Sequence, residues 1–131
     1  MNSDTPVAPV SNKMIWTGRG LSALATLALL MSGVMKLTQS AEVVDGFAKL
    51  EYGKHLIVPI GAVELVCVLL YAIPRTSMLG AILLTGYLGG ATATHVRQGE
   101  PFLAPIILGV IVWLGLFLRD ARLRSLIPLR S

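Results

Sequence analysis

Residues 56–73 read LIVPIGAVELVCVLLYAI, eighteen positions in which Glu64 is the only charge. A helix that crosses a bilayer needs about 20 mostly apolar residues, rising about 1.5 Å each, to cover about 30 Å of hydrocarbon. This stretch therefore predicts one membrane span interrupted by one carboxyl group. Pro74 and Arg75 end it, because proline has no backbone N–H and disfavours helical geometry in the residue before it. Similar stretches lie on either side. Gly20 to Met35 gives sixteen uncharged residues, Thr76 to Thr94 nineteen, and Pro101 to Leu118 eighteen. The runs are continuously apolar rather than alternating and exceed the about 9–11 residues of a membrane strand, which favours helices over a barrel. A helix also satisfies its own backbone polar groups in lipid. The expected fold is all-α, a four-transmembrane-helix bundle.

Composition agrees. The 131 residues are 54% hydrophobic and 14% charged, against about 25% charged in ordinary soluble domains. A disordered chain needs the opposite balance. Cys67 is the only cysteine, so no disulfide closes within the chain. The net charge is +4, with Arg119, Arg122, Arg124 and Arg130 gathered near the C-terminus. A basic cluster beside apolar sequence suits lipid headgroups rather than nucleic acid. The first span carries Lys13 and Arg19 in front, as a signal peptide would, but Lys36 before the small residues Ser40 and Ala41 and the three spans that follow argue for retention.

Lysine and arginine concentrate on the cytoplasmic side of membrane proteins. Lys13, Arg19, Arg75, Arg119, Arg122, Arg124 and Arg130 fall on the side of the termini, and Lys36, Lys49, Lys54 and Arg97 on the other. Both termini are expected in the cytoplasm, in a multi-pass protein of the cell (inner) membrane. The expected organisation is a disordered N-terminal tail over 1–15, a four-helix membrane domain over 16–120 and a basic C-terminal tail over 121–131. Between the first two spans, Val43, Val44, Phe47 and Leu50 recur at helical spacing, with Ser40 as a start signal and Gly53 as a stop. They predict a short amphipathic outer helix that roofs the bundle.

Polar groups inside the spans are the functional candidates. An acidic side chain near the bilayer centre costs about 2.5–3.5 kcal/mol on insertion scales, so Glu64 must face the bundle interior and find a partner or water. Cys67, Val68 and Tyr71 share its helical face. Tyr87, Ala91, Thr94 and His95 share one face of the third span, with Tyr87 at the depth of Glu64. Lys36 and Arg97 lie at the same outer level, where long side chains can snorkel. Glu64 is then either ionised beside a cation or protonated among apolar groups. Each candidate also has a structural role open to it: helix tie for Glu64, interfacial anchor for Lys36 and Arg97, packing for Tyr87 and Cys67. Gly86 and Gly90, with Gly89 and Ala93 beside them, predict a face that meets another helix. No phosphate loop, paired-cysteine zinc site or nucleophile elbow occurs, and His55 and His95 come without metal-ligand spacing.

These residues form a pattern. Gly33-Val34-Met35-Lys36-Leu37, then Pro59 and Glu64, then Tyr71-Ala72-Ile73-Pro74-Arg75-Thr76, resemble the DoxX-like family of small four-helix membrane proteins. The most specific part is Gly80-Ala81-Ile82-Leu83-Leu84-Thr85-Gly86-Tyr87-Leu88-Gly89-Gly90-Ala91 followed by Ala93-Thr94-His95-Val96-Arg97, and Trp113 with Leu118-Arg119-Asp120 completes the likeness. The resemblance implies association with membrane oxidoreductase systems, including a quinone-reducing thiosulfate enzyme, and brings no catalytic assignment.

Three functions accommodate these features. In the first, the bundle binds an apolar or quinone-like small molecule as an accessory to a membrane oxidoreductase partner. Lys36, Glu64 and His95 then supply protons and hydrogen bonds, and Tyr87, Cys67, Tyr71, Arg97 and Thr94 line the ligand site. Quinone is the one cofactor this suggests; none has a motif of its own. In the second, Glu64 is the acid or base of a cofactor-free membrane isomerase or hydrolase. In the third, the chain is a non-catalytic assembly factor.

Overall fold

The computed structural model describes residues 11–126 and is all-helical, with no strand among the described residues. Four long helices occupy the four apolar stretches: α1 (Asn12–Leu37), α3 (Ile57–Ala72), α4 (Ser77–Arg97) and α5 (Leu103–Arg119). Two short helices accompany them, α2 (Ala41–Lys49) and α6 (Ala121–Leu126), and single 3-10 turns at Lys54–Leu56 and Pro74–Thr76 lead into α3 and α4. The long helices pack in the cyclic order α1, α3, α4, α5 and back to α1. Two helical segments, Asn12–Leu37 and Lys54–Ala72, are long and apolar enough to cross a membrane; Leu103–Arg119 is apolar but shorter.

Helix α1 starts at Asn12, with Ser11 capping it through a hydrogen bond from Met14 N, so the tail expected over 1–15 is helical from 12 onward. Its remainder, 1–10, and positions 127–131 of the C-terminal tail lie outside the described residues. Ser40 caps α2 by accepting from Val43 N. Gly53 is not its stop. The helix closes four residues earlier, where Tyr52 N donates to Phe47 O and Glu51 N to Ala48 O around a left-handed Glu51 (φ 60°). The same closing motif recurs after α1 at Gln39 (φ 52°) and after α4 at Gly99 (φ 70°). For Gln39 and Glu51 this backbone costs about 1–2 kcal/mol that glycine avoids.

The α3–α4 corner follows from Pro74. Once the chain turns away at Ile73, carbonyls at the end of α3 need other donors. Thr76 donates to Leu70 O at 2.7 Å and the buried Ser77 to Tyr71 O at 2.8 Å. Gly80 then passes so close to the backbone of Tyr71 that a Cβ there would collide with it.

The core runs along the bundle axis through Ala25, Leu29, Val68, Tyr71, Leu84, Val112 and Leu116. The outward faces are apolar as well: Leu27 is 65% exposed, Val66 56%, Ile82 54% and Val110 59%. The close helix contacts do not use Gly86, Gly89 and Gly90, where an added Cβ meets nothing within 4 Å. This corrects the expectation that this face seats another helix of the chain. The backbones instead approach at Gly18 against Gly115, at Gly33 against Gly61, and at Gly80.

Candidate functional site

Glu64 comes in the third turn of α3, on the buried face that also holds Ile57, Gly61, Cys67, Val68 and Tyr71. It is 1% exposed. Its Oε1 accepts three hydrogen bonds: from Lys36 Nζ at 2.7 Å, from the Tyr87 hydroxyl at 2.5 Å and from Ser32 Oγ at 3.2 Å. Lys36 also donates to Ser32 Oγ at 2.7 Å, so the serine relays between cation and carboxylate. Glu64 Oε2 is buried and has no hydrogen-bond partner among the described residues. The group thus ties α1, α3 and α4 together at one level.

Three of the expected site residues, Lys36, Glu64 and Tyr87, form this cluster. Ser32 belongs to it as well. Its signal in the sequence is its place one turn before Lys36, on the same helical face.

Lys36 and Tyr87 also form part of the wall of a cavity of about 620 Å³. Phe47 and Leu50 of α2, Tyr52, Ile60 of α3, and Gly86, Gly90, Thr94 and His95 of α4 line it too. The volume falls within the range of about 300–1,000 Å³ typical of small-molecule sites. The glycines of α4 open this space, since each omits a side chain that would project into it. Helix α2 covers it, anchored by Phe47, the one buried residue of that helix. The Phe47 ring packs edge-on against Tyr52, with centroids 6.0 Å apart. Tyr52 in turn bonds Thr94 Oγ1 at 2.8 Å, latching the segment after α2 to α4. Phe47 carries a signal in the sequence, the apolar spacing of the roofing helix, whereas Tyr52 carries none, because its bond to Thr94 crosses from a loop to a helix far along the chain.

The remaining expected residues lie elsewhere. Cys67 is a buried core side chain outside the cavity wall. Tyr71 belongs to a second polar group near the other end of α3, where its hydroxyl donates to Val112 O at 2.7 Å and bonds Ser22 Oγ at 2.8 Å. Arg119 donates to the same Ser22 at 3.1 Å and stacks over the Tyr71 ring. Arg97 is exposed at the end of α4 and does not line the cavity. Among the described residues no three of His, Cys, Asp and Glu converge to hold a metal.

The site therefore combines a charge-neutralised, hydrogen-bonded cluster with an adjoining apolar cavity that has polar groups at a few points. Such a lining has the chemistry to hold and orient a lipophilic molecule. Neither a curated protein nor a solved structure matches the chain. A family model does, over residues 20–115, which include the whole of the Glu64 cluster and all of α2, α3 and α4. On that match the chain belongs to the DoxX-like family and is a membrane protein of that family.

Proposed function

We propose that the protein binds a lipophilic, quinone-sized small molecule in the cavity between α2 and α4, as an accessory to a membrane oxidoreductase. The observation that carries this is the position of Lys36 and Tyr87. Each touches the Glu64 carboxylate and each lines the cavity. A ligand there meets apolar walls along its length and hydrogen-bonding groups joined to a buried acid. The link to an oxidoreductase comes from the family resemblance alone.

In this reading α1, α3, α4 and α5 all cross the inner membrane, with both termini in the cytoplasm. Apolar outward faces on each of the four support it, as does the bias of Lys and Arg toward the terminal side. The cavity then opens at the outer leaflet, where a lipid-soluble molecule can reach it. A cofactor-free isomerase or hydrolase needs the Glu64 carboxylate against its substrate, and that carboxylate is not among the groups lining the cavity.

The test is titration of the full chain in mild detergent with a decyl-substituted quinone, followed by intrinsic fluorescence, in the wild type and in Gly90→Leu. Saturable quenching that Gly90→Leu abolishes supports the proposal. Non-saturating quenching, equal in both proteins, overturns it.

A further inference from the structure

The hydrogens of the cavity's polar side chains are already committed. Thr94 donates its hydroxyl hydrogen to Gly90 O at 2.8 Å, so in the Tyr52–Thr94 bond Tyr52 is the donor. The Tyr87 hydroxyl donates to Glu64 Oε1. His95 Nδ1 lies 2.6 Å from Ala91 O, which has no hydrogen to give, so Nδ1 carries the proton. In the neutral ring the other nitrogen, Nε2, is then an acceptor. Nε2 makes no hydrogen bond to the described residues. All four of the uncharged polar side chains that line the cavity, Tyr52, Tyr87, Thr94 and His95, thus engage their hydrogens with protein acceptors and leave lone pairs for a ligand.

The charged groups do not reverse this. Lys36 has two of its three N–H bonds engaged, by Ser32 and Glu64. Lys49 is exposed at the end of α2, and Glu100 adds acceptors. A carbonyl ligand, which only accepts, finds the one remaining N–H of Lys36 inside and those of Lys49 at the exposed edge, and faces unpaired acceptors elsewhere. A hydroxyl both donates and accepts. A bound ligand shields these acceptors from water, and an acceptor so covered without a donor costs free energy, so the hydroxyl form is favoured.

From this we infer that the cavity selects a lipophilic ligand bearing a hydroxyl, a phenol or the reduced quinol rather than the quinone, and that His95 Nε2 receives its hydrogen. The inference rests on the proposed binding role and specifies the ligand's chemistry. It concerns recognition and involves no transfer of electrons.

A matched pair of probes tests it: a long-chain 4-alkylphenol and its methyl ether, which differ by the single donor. Both are titrated against the full chain in detergent at neutral pH, against wild type and His95→Phe. The expected result is that wild type binds the phenol about three- to tenfold tighter than the ether, the range one net hydrogen bond supplies. In His95→Phe the ratio falls to about one while the ether still binds, as loss of a single acceptor requires. Nitrogen NMR of the labelled imidazole reads the same bond without a variant: the phenol moves the Nε2 resonance and the ether does not. Equal binding of phenol and ether by wild type, or an Nε2 resonance unmoved by bound phenol, overturns the inference and leaves the binding role standing. Failure of both probes to bind at all overturns both.

Discussion

Gly61 of α3 faces Lys36 of α1 so closely that a Cβ added at Gly61 would come 2.6 Å from Lys36 Cβ and 3.2 Å from Gly33 O. The absent side chain is what lets α3 approach α1 at the level where Lys36 reaches Glu64, one turn further along. Gly61→Ala should push the helices apart and lengthen that ion pair, at a cost of about 1–3 kcal/mol, as overpacked sites show. Gly20 in α1 has open space around its Cβ position. Gly20→Ala should therefore raise stability by about 0.5–1 kcal/mol through the backbone alone. Unfolding curves in detergent compare the two, and equal effects would contradict the close-approach account.

The Lys36–Glu64 pair makes an asymmetric prediction. Lys36→Met leaves a carboxylate that is 1% exposed without its cation, and removing one partner of a buried pair costs about 3–5 kcal/mol. Adding Glu64→Gln to that variant removes the stranded charge while keeping an acceptor for Tyr87. The double variant should be more stable than Lys36→Met alone. If it is less stable, the carboxylate does not depend on the lysine for compensation.

The cavity and the second polar group should separate in experiment. Tyr71 lies eleven residues along α3 from Ile60, about 16 Å at the helical rise, and only Ile60 lines the cavity. Tyr71→Phe strips a donor from the buried Val112 carbonyl, a loss of about 1–3 kcal/mol. Ligand affinity should stay the same. A matching drop in affinity would show that the two ends of the bundle are coupled.

Covering of the cavity depends on few contacts. Phe47 is the buried anchor of α2, and the Tyr52–Thr94 hydrogen bond fastens the segment after it. Tyr52→Phe keeps the edge-on ring contact and deletes the bond. Ligand release should quicken by about three- to tenfold, the equivalent of one net hydrogen bond, with little change in unfolding. Stopped-flow displacement measures the release rate, and an unchanged rate would mean that α2 is held by packing alone.

What the sequence discloses of this site follows from the cost of burying polar groups in lipid. Glu64 and Tyr87 stand out because each is polar within an apolar stretch and the rise per residue puts them at a common depth, and Lys36 because it ends the first stretch on the same side with a stem long enough to reach inward. Helical spacing identifies shared faces but not their neighbours. Tyr71 shares the face of Glu64 and still bonds to α1 and α5 instead, because two further turns carry it toward the opposite end. Small residues are ambiguous in the same way. Gly33, Gly61 and Gly80 admit a neighbouring backbone, whereas Gly86 and Gly90 open a cavity, and only the partner helix decides between these outcomes. The stop of α2 escapes prediction for a different reason: a non-glycine residue, Glu51, adopts the left-handed backbone that Gly53 was expected to provide.

Membrane sidedness is open to a direct measurement, because Cys67 is the only cysteine and is buried. In a Cys67→Ala background, single cysteines replace Lys13 in the first turn of α1, Arg122 in α6, Lys54 before α3 and Gln98 after α4. Four spans place Lys13 and Arg122 on one side and Lys54 and Gln98 on the other. If only Asn12–Leu37 and Lys54–Ala72 crossed, α4 and α5 would stay on one side, and Gln98 would share a side with Arg122. A membrane-impermeant maleimide on intact cells should therefore label Lys54→Cys and Gln98→Cys. The other two should react only after the membrane is opened if the proposed orientation holds, which rests on seven Lys and Arg residues on their side against four opposite. Labelling of Lys13→Cys in intact cells would reverse the orientation. Matching accessibility of Gln98→Cys and Arg122→Cys would remove the fourth span, and with it the membrane-embedded setting of the cavity.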